Sequence, residues 1–354
     1  MTEEIEACNA LAAVGWLGGL LARSHQALNA VHNPSTDKEA RDKHTRYLED
    51  WQSATEAWTI SDAVLHEPNC PLQLQFYCAQ TLRFKVQRDF EELPEPAVAN
   101  LRSSLADLLL RYYKGPSAVR TQLALAIAGM AAHAPADSWE GGGPLPWFAS
   151  RISGKPTEAA LTCMLELLTI LPQEAIQVKH LLSVKPDRRR MIKKELALAT
   201  PLALQMLTSC LNQQGVGIRE HVLRAFAAWA ELGGMASMDA AQLAQHPLVE
   251  AALAGLSNED VFDSSVDAVV QLIYVSSGAG SPLPQMEPLV QRLVPAVLQQ
   301  RGLFTRALGH AMQTAPNDVP EDADLAKGLA RMFAELAECY CTLIATGTAE
   351  LLTC

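Results

Sequence analysis

The sequence predicts an all-α fold, a right-handed α–α superhelix of the HEAT/ARM type with about seven helical hairpins. Its 354 residues exceed the usual size of one hydrophobic core, so the chain should form either several domains or an elongated repeat array. Hydrophobic residues make up 49% of the chain and aromatic residues only 6%, a balance typical of stacked helices. Helical periodicity also recurs from end to end, between short loops rich in Pro, Gly and Asn.

The first half of the chain predicts consecutive helix pairs whose ends are marked by proline. Pro34, Pro68 and Pro94 end helices because proline lacks an amide hydrogen and restricts the residue before it. The predicted pairs are Gln26–His32 with Asp37–Ser53, Glu56–His66 with Pro71–Phe90, Ala97–Tyr113 with Val119–Ala134, and Leu145–Ile152 with Thr157–Leu171.

The second half continues the same pattern at a period of about 40 residues per hairpin. The predicted pairs are Asp187–Asn212 with Ile218–Leu232, Met238–Leu256 with Asp260–Ser276, and Pro288–Gln313 with Asp322–Ala345. We interpret Ser277–Ser281 as a flexible connection. Because one hairpin cannot bury its apolar face alone, stacked neighbours should form the core, and the second helix of each pair should line a concave binding surface.

Charge and cysteine usage narrow the function classes. The formal net charge is −11, which disfavours direct nucleic-acid binding and favours basic protein partners. The eight Cys show no disulfide-framework spacing and predict a reducing compartment, the cytosol or the nucleus. Glu3, Glu4 and Glu6 stand where a signal peptide needs positive charge, and the apolar stretch that follows is shorter than a spanning helix. We expect no membrane insertion.

No spacing indicates catalysis, and we predict neither an enzyme nor a bound metal or cofactor. Cys339 and Cys341 would point about 200° apart on a helix, so both cannot readily reach one ion. The run Gly141–Pro144 lacks the Lys and Ser/Thr of a phosphate loop, and Gly215–Gly217 lacks a third glycine and a preceding strand.

One basic cluster stands out in this acidic chain. It comprises Arg188, Arg189, Arg190, Lys193 and Lys194, at the start of a predicted helix. Three interpretations stay open: a solvated first turn, a contact for an acidic partner, and a nuclear localisation signal. Arginines in a first turn oppose the helix dipole, which favours a use beyond stability.

Five blocks along the chain form a recognisable series. The two most informative are Phe76–Gln87 (FYCAQTLRFKVQ) and Thr121–Ala128 (TQLALAIA), and the others are Glu56–Asp62, Leu165–Pro172 and Trp229–Gly233. Their order is more specific than any single block. In this order the blocks resemble the importin-β superfamily of nuclear transport receptors, and most closely its transportin-SR (transportin-3-like) branch.

The resemblance implies a nuclear import receptor that binds the GTP form of the small GTPase Ran on its amino-terminal repeats. It further implies release of cargo when Ran binds, cargo such as Ser/Arg-rich proteins, nucleoporin contacts and shuttling between cytoplasm and nucleus. On the predicted inner helices, the residues expected to contact Ran are Glu49, Asp50, Gln80, Arg83, Lys85 and Gln122. The alternative is a generic HEAT-repeat scaffold for a cytosolic complex.

Four segments are predicted along the chain. They are an amino-terminal extension (1–24), importin N-terminal-like repeats (25–115), exportin-1/importin-β-like HEAT repeats (116–280) and a further HEAT-like hairpin (281–354). The chain ends just after a long apolar helix, without the polar outer face of a capping repeat. We therefore expect the solenoid to continue beyond Cys354 into the half that would hold Arg/Ser-rich cargo.

Overall fold

A computed structural model describes residues 23–68, 70–155, 157–177, 183–213, 217–313 and 323–346, and most of them are helical. Residues 23–32 form a helix. The helices that follow are α1 (Lys38–Ser53), α2 (Ala57–His66), α3 (Leu72–Asp89), α4 (Glu95–Arg111), α5 (Ser117–His133), α6 (Pro144–Ile152), α7 (Thr157–Ile176), α8 (Pro186–Leu211), α9 (Ile218–Glu231), α10 (Ala240–Ala244), α11 (Pro247–Gly255), α12 (Phe262–Val275), α13 (Glu287–Gln299), α14 (Arg301–Gln313), α15 (Ala323–Cys339) and α16 (Cys341–Thr346). The all-α prediction is confirmed.

The chain forms two compact units. Unit 1 comprises Met1–Cys163 and Lys179–Lys185, and unit 2 comprises Met164–Val178 and Pro186–Cys354. The predicted extension falls mostly outside the described residues, as do Gly215, Val216 and the last residues of the chain.

Unit 1 is built by helices that pack on their neighbours in the next hairpin. Helix α2 packs on α3, and both α3 and α4 pack on α5. The phenol of Tyr112 donates to the carbonyl of Leu65 at 3.0 Å and so ties α2 to the end of α4. Arg102 lies over the rings of Trp139, at 4.4 Å, and Trp147, at 6.0 Å, in a cation–π arrangement. The Tyr112 hydrogen bond and the contacts of Arg102 with the two tryptophan rings thus join separate segments of unit 1.

Unit 2 is also built by helices that pack on their neighbours in the next hairpin. Helix α8 packs on α9, α9 on α12, and α12 on α15. The fully buried Trp229 donates its indole hydrogen to the carbonyl of Leu168 at 2.7 Å, so its polar atom is satisfied. The hydroxyls of Ser276 and Tyr340 lie 2.7 Å apart and join α12 to the end of α15.

Several long predicted helices are interrupted. Met238–Leu256, predicted as one helix, contains α10 and α11, because Asp239 caps α10 and His246 caps α11 before Pro247. Pro288–Gln313 divides at Gln300, and Asp322–Ala345 divides at the fully buried Tyr340. Tyr340 is held by its tertiary hydrogen bond, which the local sequence does not reveal.

Two further details differ from the sequence prediction. Helix α7 continues past Leu171 to Ile176 with Pro172 inside it. The predicted flexible connection is an ordered two-stranded antiparallel hairpin, β1 (Ser277–Gly278) and β2 (Ser281–Pro282), turning at Ala279 and Gly280 with positive φ. Among the described helices, α7 is long and apolar enough to cross a membrane by length and composition, but 61% of that stretch is buried inside the protein, as in a core helix.

Candidate protein-binding site

The residues predicted to contact a partner lie on α1, α3 and α5 of unit 1. Helix α1 starts where the Asp37 carboxylate accepts a hydrogen bond from the amide of Ala40 at 2.8 Å. Leu48 and Trp51 turn inward and are buried, which leaves Glu49 and Asp50 exposed on the opposite face. Both carboxylates are therefore accessible to a partner.

Buried contacts with α3 fix the position of α1, the helix that carries these carboxylates. The rings of Trp51 and Tyr77 lie 5.3 Å apart, and the Tyr77 phenol donates to the carbonyl of Leu48 at 2.7 Å. Burial raises the pKa of Tyr77, so the phenol stays protonated and keeps donating. Closer to the surface, the Gln52 side-chain amide donates to the Thr81 hydroxyl at 3.1 Å.

Helices α3 and α5 approach each other closely beneath the site. A Cβ on Gly129 would lie 2.9 Å from the nearest methyl carbon of Val86, so only glycine allows this spacing. Further along the same pair of helices, the Arg83 guanidinium donates to the side-chain oxygen of Gln122 at 3.3 Å. Both side chains are half-buried. The structure thus brings two of the predicted contact residues together.

Lys85 requires a correction, because its side chain is fully buried and cannot reach a partner. Its ammonium lies 2.8 Å from Asp89 and 3.6 Å from Glu92, and 5.3 Å from the centre of the Trp58 ring. The guanidinium of Arg88 also bonds Asp89, at 2.7 Å. The Arg88 hydrogen bond, and then Lys85, hold the pKa of the Asp89 carboxyl below its usual range. Lys85 therefore stabilises the end of α3 from within.

The remaining predicted residues offer polar groups for binding. Glu49 and Asp50 are exposed carboxylates, whereas Gln80, Arg83 and Gln122 are partly accessible donors and acceptors. Across the residues that the structure describes, no group of three or more His, Cys, Asp or Glu side chains is placed to hold a metal ion. What this surface can do is recognise another macromolecule by charge and hydrogen bonding.

Sequence reasoning missed Phe84, which the structure adds to the site. Its ring is 37% exposed, and the Arg83 guanidinium lies 5.7 Å from its centre. The signal that was available is helical phase, since Phe84 follows Gln80 by four residues and shares its face. Phenylalanine is ordinarily a core residue, so its side-chain class concealed this position.

The predicted basic cluster lies on the first turns of α8 in unit 2, and its members differ in environment. Arg188 forms a two-point ion pair with Glu195, at 2.6 and 2.8 Å, and both are largely buried. Arg190 pairs with Asp187 at 2.5 Å on the open surface. Arg189 is half-buried, whereas Lys193 and Lys194 are exposed.

Two protein-family models match this chain in succession. Residues 45–111 match the Importin-beta N-terminal domain, and residues 116–269 match the Exportin 1-like protein family. The first of these ranges contains five of the six predicted contact residues, and the second contains Gln122. The second range, residues 116–269, also contains the whole basic cluster on α8.

Two curated proteins are similar in sequence to most of this chain. Transportin MOS14 of Arabidopsis thaliana is 37% identical over 327 residues, which is 92% of this chain and 32% of that protein. Importin-13 of Bos taurus is 25% identical over 315 residues, 87% of this chain and 30% of that protein. The chain thus spans 32% and 30% of the lengths of these two curated relatives.

A solved structure of Kap95p with RanGDP shares the fold, with a TM-score of 0.51 at 13% identity over 90% of this chain and 42% of that chain. This likeness confirms the predicted HEAT-like helical-repeat fold. The two family models and the two relatives support one assignment. Over residues 45–111 and 116–269, this chain matches the importin-β superfamily.

Proposed function

We propose that this chain acts as a segment of a nuclear import receptor and that unit 1 binds the GTP form of Ran. The observation that carries the proposal is the match of residues 45–111 to the Importin-beta N-terminal domain, where most of the candidate residues lie. The solved structure that shares the fold contains Kap95p with RanGDP, in a study of nuclear import complex assembly. In this function the chain binds and releases proteins and performs no chemistry.

The charges of the site suit a partner with basic surface patches. Glu49 and Asp50 present carboxylates on α1, in a chain whose formal net charge is −11. Exposed charges of one sign attract an oppositely charged partner and raise the rate of encounter more than the final affinity. Glu49 and Asp50 would therefore raise the rate at which a basic partner meets this surface.

Hydrogen bonding and apolar contact would supply the lasting affinity. Gln80 and Gln122 offer amides, and Phe84 offers a partly exposed ring one helical turn after Gln80. The Arg83–Gln122 hydrogen bond already holds both side chains in place, which lowers the entropy lost on binding. Partly buried aromatic and arginine side chains are the residue types that dominate binding energy at protein interfaces.

The finer parts of the proposal concern branch, cargo and location. We propose the transportin-SR branch on the basis of the sequence blocks described above. We propose Ser/Arg-rich proteins as cargo, nucleoporins as further partners, and shuttling between cytoplasm and nucleus.

A binding assay with purified Ran tests the main proposal. We expect immobilised Ran locked in its GTP form to retain the chain, and Ran loaded with GDP to retain much less. Equal retention by both forms would contradict the proposal. Retention by neither form would favour the alternative of a generic cytosolic scaffold.

Paired variants locate the contact within unit 1. The double charge reversal Glu49→Lys with Asp50→Lys should weaken binding of Ran-GTP by about tenfold or more, because it replaces attraction by repulsion. Asp137→Lys with Glu140→Lys makes the same change in net charge on exposed residues of the same unit. If this control pair weakens binding equally, the effect is one of overall charge, and Glu49 and Asp50 are not the contact.

A further inference from the structure

The outer side of α14 combines two glycines with two arginines, and the function proposed above does not use it. We call the surface formed by Arg301, Gly302, Thr305, Arg306 and Gly309 the α14 face. Gly309 is half-buried and the other four residues are exposed, whereas Ala307 on the opposite side of the helix is buried. The α14 face belongs to unit 2, and the proposed Ran contacts belong to unit 1.

Packing within unit 2 does not require these two glycines. At Gly328 of α15, a Cβ would lie 2.8 Å from the ring of Phe262, so a close neighbour explains that glycine. A Cβ on Gly302 or Gly309 would have nothing within 4 Å. Glycine is the least favourable residue after proline inside a helix, and Gly309 lies well inside α14. The open space beside the glycines therefore leaves room for a chain that approaches α14 closely from outside.

Helical geometry places the small residues between the two arginines. With Arg301 as the origin, the angles around the axis at 100° per residue are about 40° for Thr305, 80° for Gly309, 100° for Gly302 and 140° for Arg306. The Thr305 hydroxyl donates to the carbonyl of Arg301 at 3.0 Å, so it is bound to its own helix. The α14 face is thus a low strip of small residues with a cation at each edge.

The arginines are available for pairing. Neither Arg301 nor Arg306 forms an ion pair with a carboxylate among the described residues, and α14 itself contains no Asp or Glu. Asp324 lies in the first turn of α15, which packs on α14, but it is paired with Lys327 at 3.0 Å. Leu308, 43% exposed, lies about 20° outside Arg301 and offers an apolar contact at that edge. In an acidic chain, this face is therefore complementary to carboxylates.

We infer that the α14 face binds an acidic helix of a partner protein, laid along the strip of small residues. Carboxylates on the two sides of that helix pair with Arg301 and Arg306, because a guanidinium can bond a carboxylate through two hydrogen bonds. The occupant is a helix because α14 uses its backbone groups internally and offers none to an extended chain. A nucleic acid fits less well, because its phosphates would meet net repulsion from a chain of charge −11.

Fluorescence anisotropy with a labelled helical peptide tests the inference. The peptide has alanines along one strip and glutamates on both sides of it. A second version has leucines in place of the strip alanines, and a third has glutamines in place of the glutamates. We expect saturable binding of the first peptide, weakened by salt, and binding of the other two about tenfold weaker. Arg301→Glu with Arg306→Glu should weaken the first peptide by about tenfold or more.

Gly302→Gln with Gly309→Gln separates binding from folding. Glutamine forms helices better than glycine, and a Cβ meets no neighbour at either position, so the urea midpoint of unfolding should rise. The longer side chains should nevertheless keep the peptide helix away from α14 and lower its affinity by about tenfold. A stabilised variant that binds the peptide with unchanged affinity would overturn the inference.

A matched control separates this site from overall charge. Lys155→Glu with Arg219→Glu makes the same change in net charge at exposed residues outside α14 and should leave the affinity within about twofold. Circular dichroism checks that every variant is folded. The inference is also overturned if the first peptide does not bind, if the control loses binding equally, or if a single-stranded oligonucleotide binds more tightly through the same arginines. Self-association of the chain that is lost on reversing both arginines would assign the face to a second copy instead.

Discussion

Lys85 shows how a charged side chain can be buried within a helical repeat and stabilise it. Its ammonium is neutralised by Asp89 and Glu92 and covered by the ring of Trp58. Replacing Lys85 by a small residue removes the packing of its buried stem and one of the two cations that bond Asp89, while the bond from Arg88 to Asp89 remains. This arrangement separates the role of Lys85 in stability from any role in binding.

The first prediction follows from that separation. We expect Lys85→Ala to lower the free energy of unfolding by about 3 kcal/mol, measured by urea denaturation. Lys85→Met, which keeps the volume of the side chain, should leave the affinity for Ran-GTP within about twofold. A large loss of affinity in a folded Lys85→Met protein would restore Lys85 to the contact surface.

The second prediction concerns the pH dependence of stability. Hydrogen bonds from Arg88 and Lys85 lower the pKa of Asp89 in the folded chain. The stabilisation is therefore fully present above the unfolded-state pKa, about 3.9, and is lost as the pH falls through the lower folded-state value. We expect the stability difference between wild type and Asp89→Asn to be constant down to about pH 5 and to shrink below it.

At the residue scale, helical phase predicts more than side-chain class. Lys85 follows Cys78 by seven residues and Leu82 by three, and both of these are fully buried, so the phase of α3 already points Lys85 inward. Its charge nevertheless favoured a surface position in the sequence prediction. Phe84 shows the converse, an apolar side chain on the polar face. Lys85, expected on the surface, is therefore buried, and Phe84, ordinarily a core residue, is partly exposed.

At the scale of elements, helices were predictable and their interruptions were not. Periodicity and proline positions predict the helices up to α6 closely, because the apolar stripe and the helix-ending residues are local features. The breaks at Gln300 and Tyr340 have no comparable local signature. Pro172 lies inside α7, although proline ordinarily ends a helix.

The hairpin between β1 and β2 gives the third prediction. Ala279 has φ of 51°, a left-handed conformation that costs a non-glycine residue about 1 kcal/mol. We expect Ala279→Gly to raise the free energy of unfolding by up to about 1 kcal/mol. Gly280→Ala should lower it, because φ is 77° and a Cβ would lie 3.0 Å from the sulfur of Cys341. Urea denaturation of both variants checks the signs, and matching signs would contradict this account of the turn.

At the scale of the whole molecule, the fold class can be predicted from the sequence pattern, whereas the identity of the partner cannot. The fold class followed from composition and periodicity, and the comparisons confirm it. The four predicted segments stay a prediction, because compact units and family models divide the chain by different criteria. Partner identity does not follow from the helical pattern, since the same pattern serves many scaffolds.

The fourth prediction concerns the rate of association with Ran-GTP. A chain with a net charge of −11 should attract a basic surface over a distance that salt shortens, so raising the ionic strength should lower the association rate more than it raises the dissociation rate. Stopped-flow fluorescence at several salt concentrations measures both rates. Glu49→Lys with Asp50→Lys should show a shallower salt dependence. A steeper dependence in that variant would place the steering charges elsewhere.

Gly129 has a consequence for natural variants of this chain. It lies two helical turns after Gln122 on α5 and touches Val86 on α3, in the same pair of helices that the Arg83–Gln122 hydrogen bond joins. A methyl group added there would lie 2.9 Å from a methyl carbon of Val86, so that side chain or the two helices must shift, and overpacking of this kind costs about 1–3 kcal/mol of stability. A search for harmful variants that is confined to exposed residues would overlook this buried position, which supports the pair of helices that carries Arg83 and Gln122.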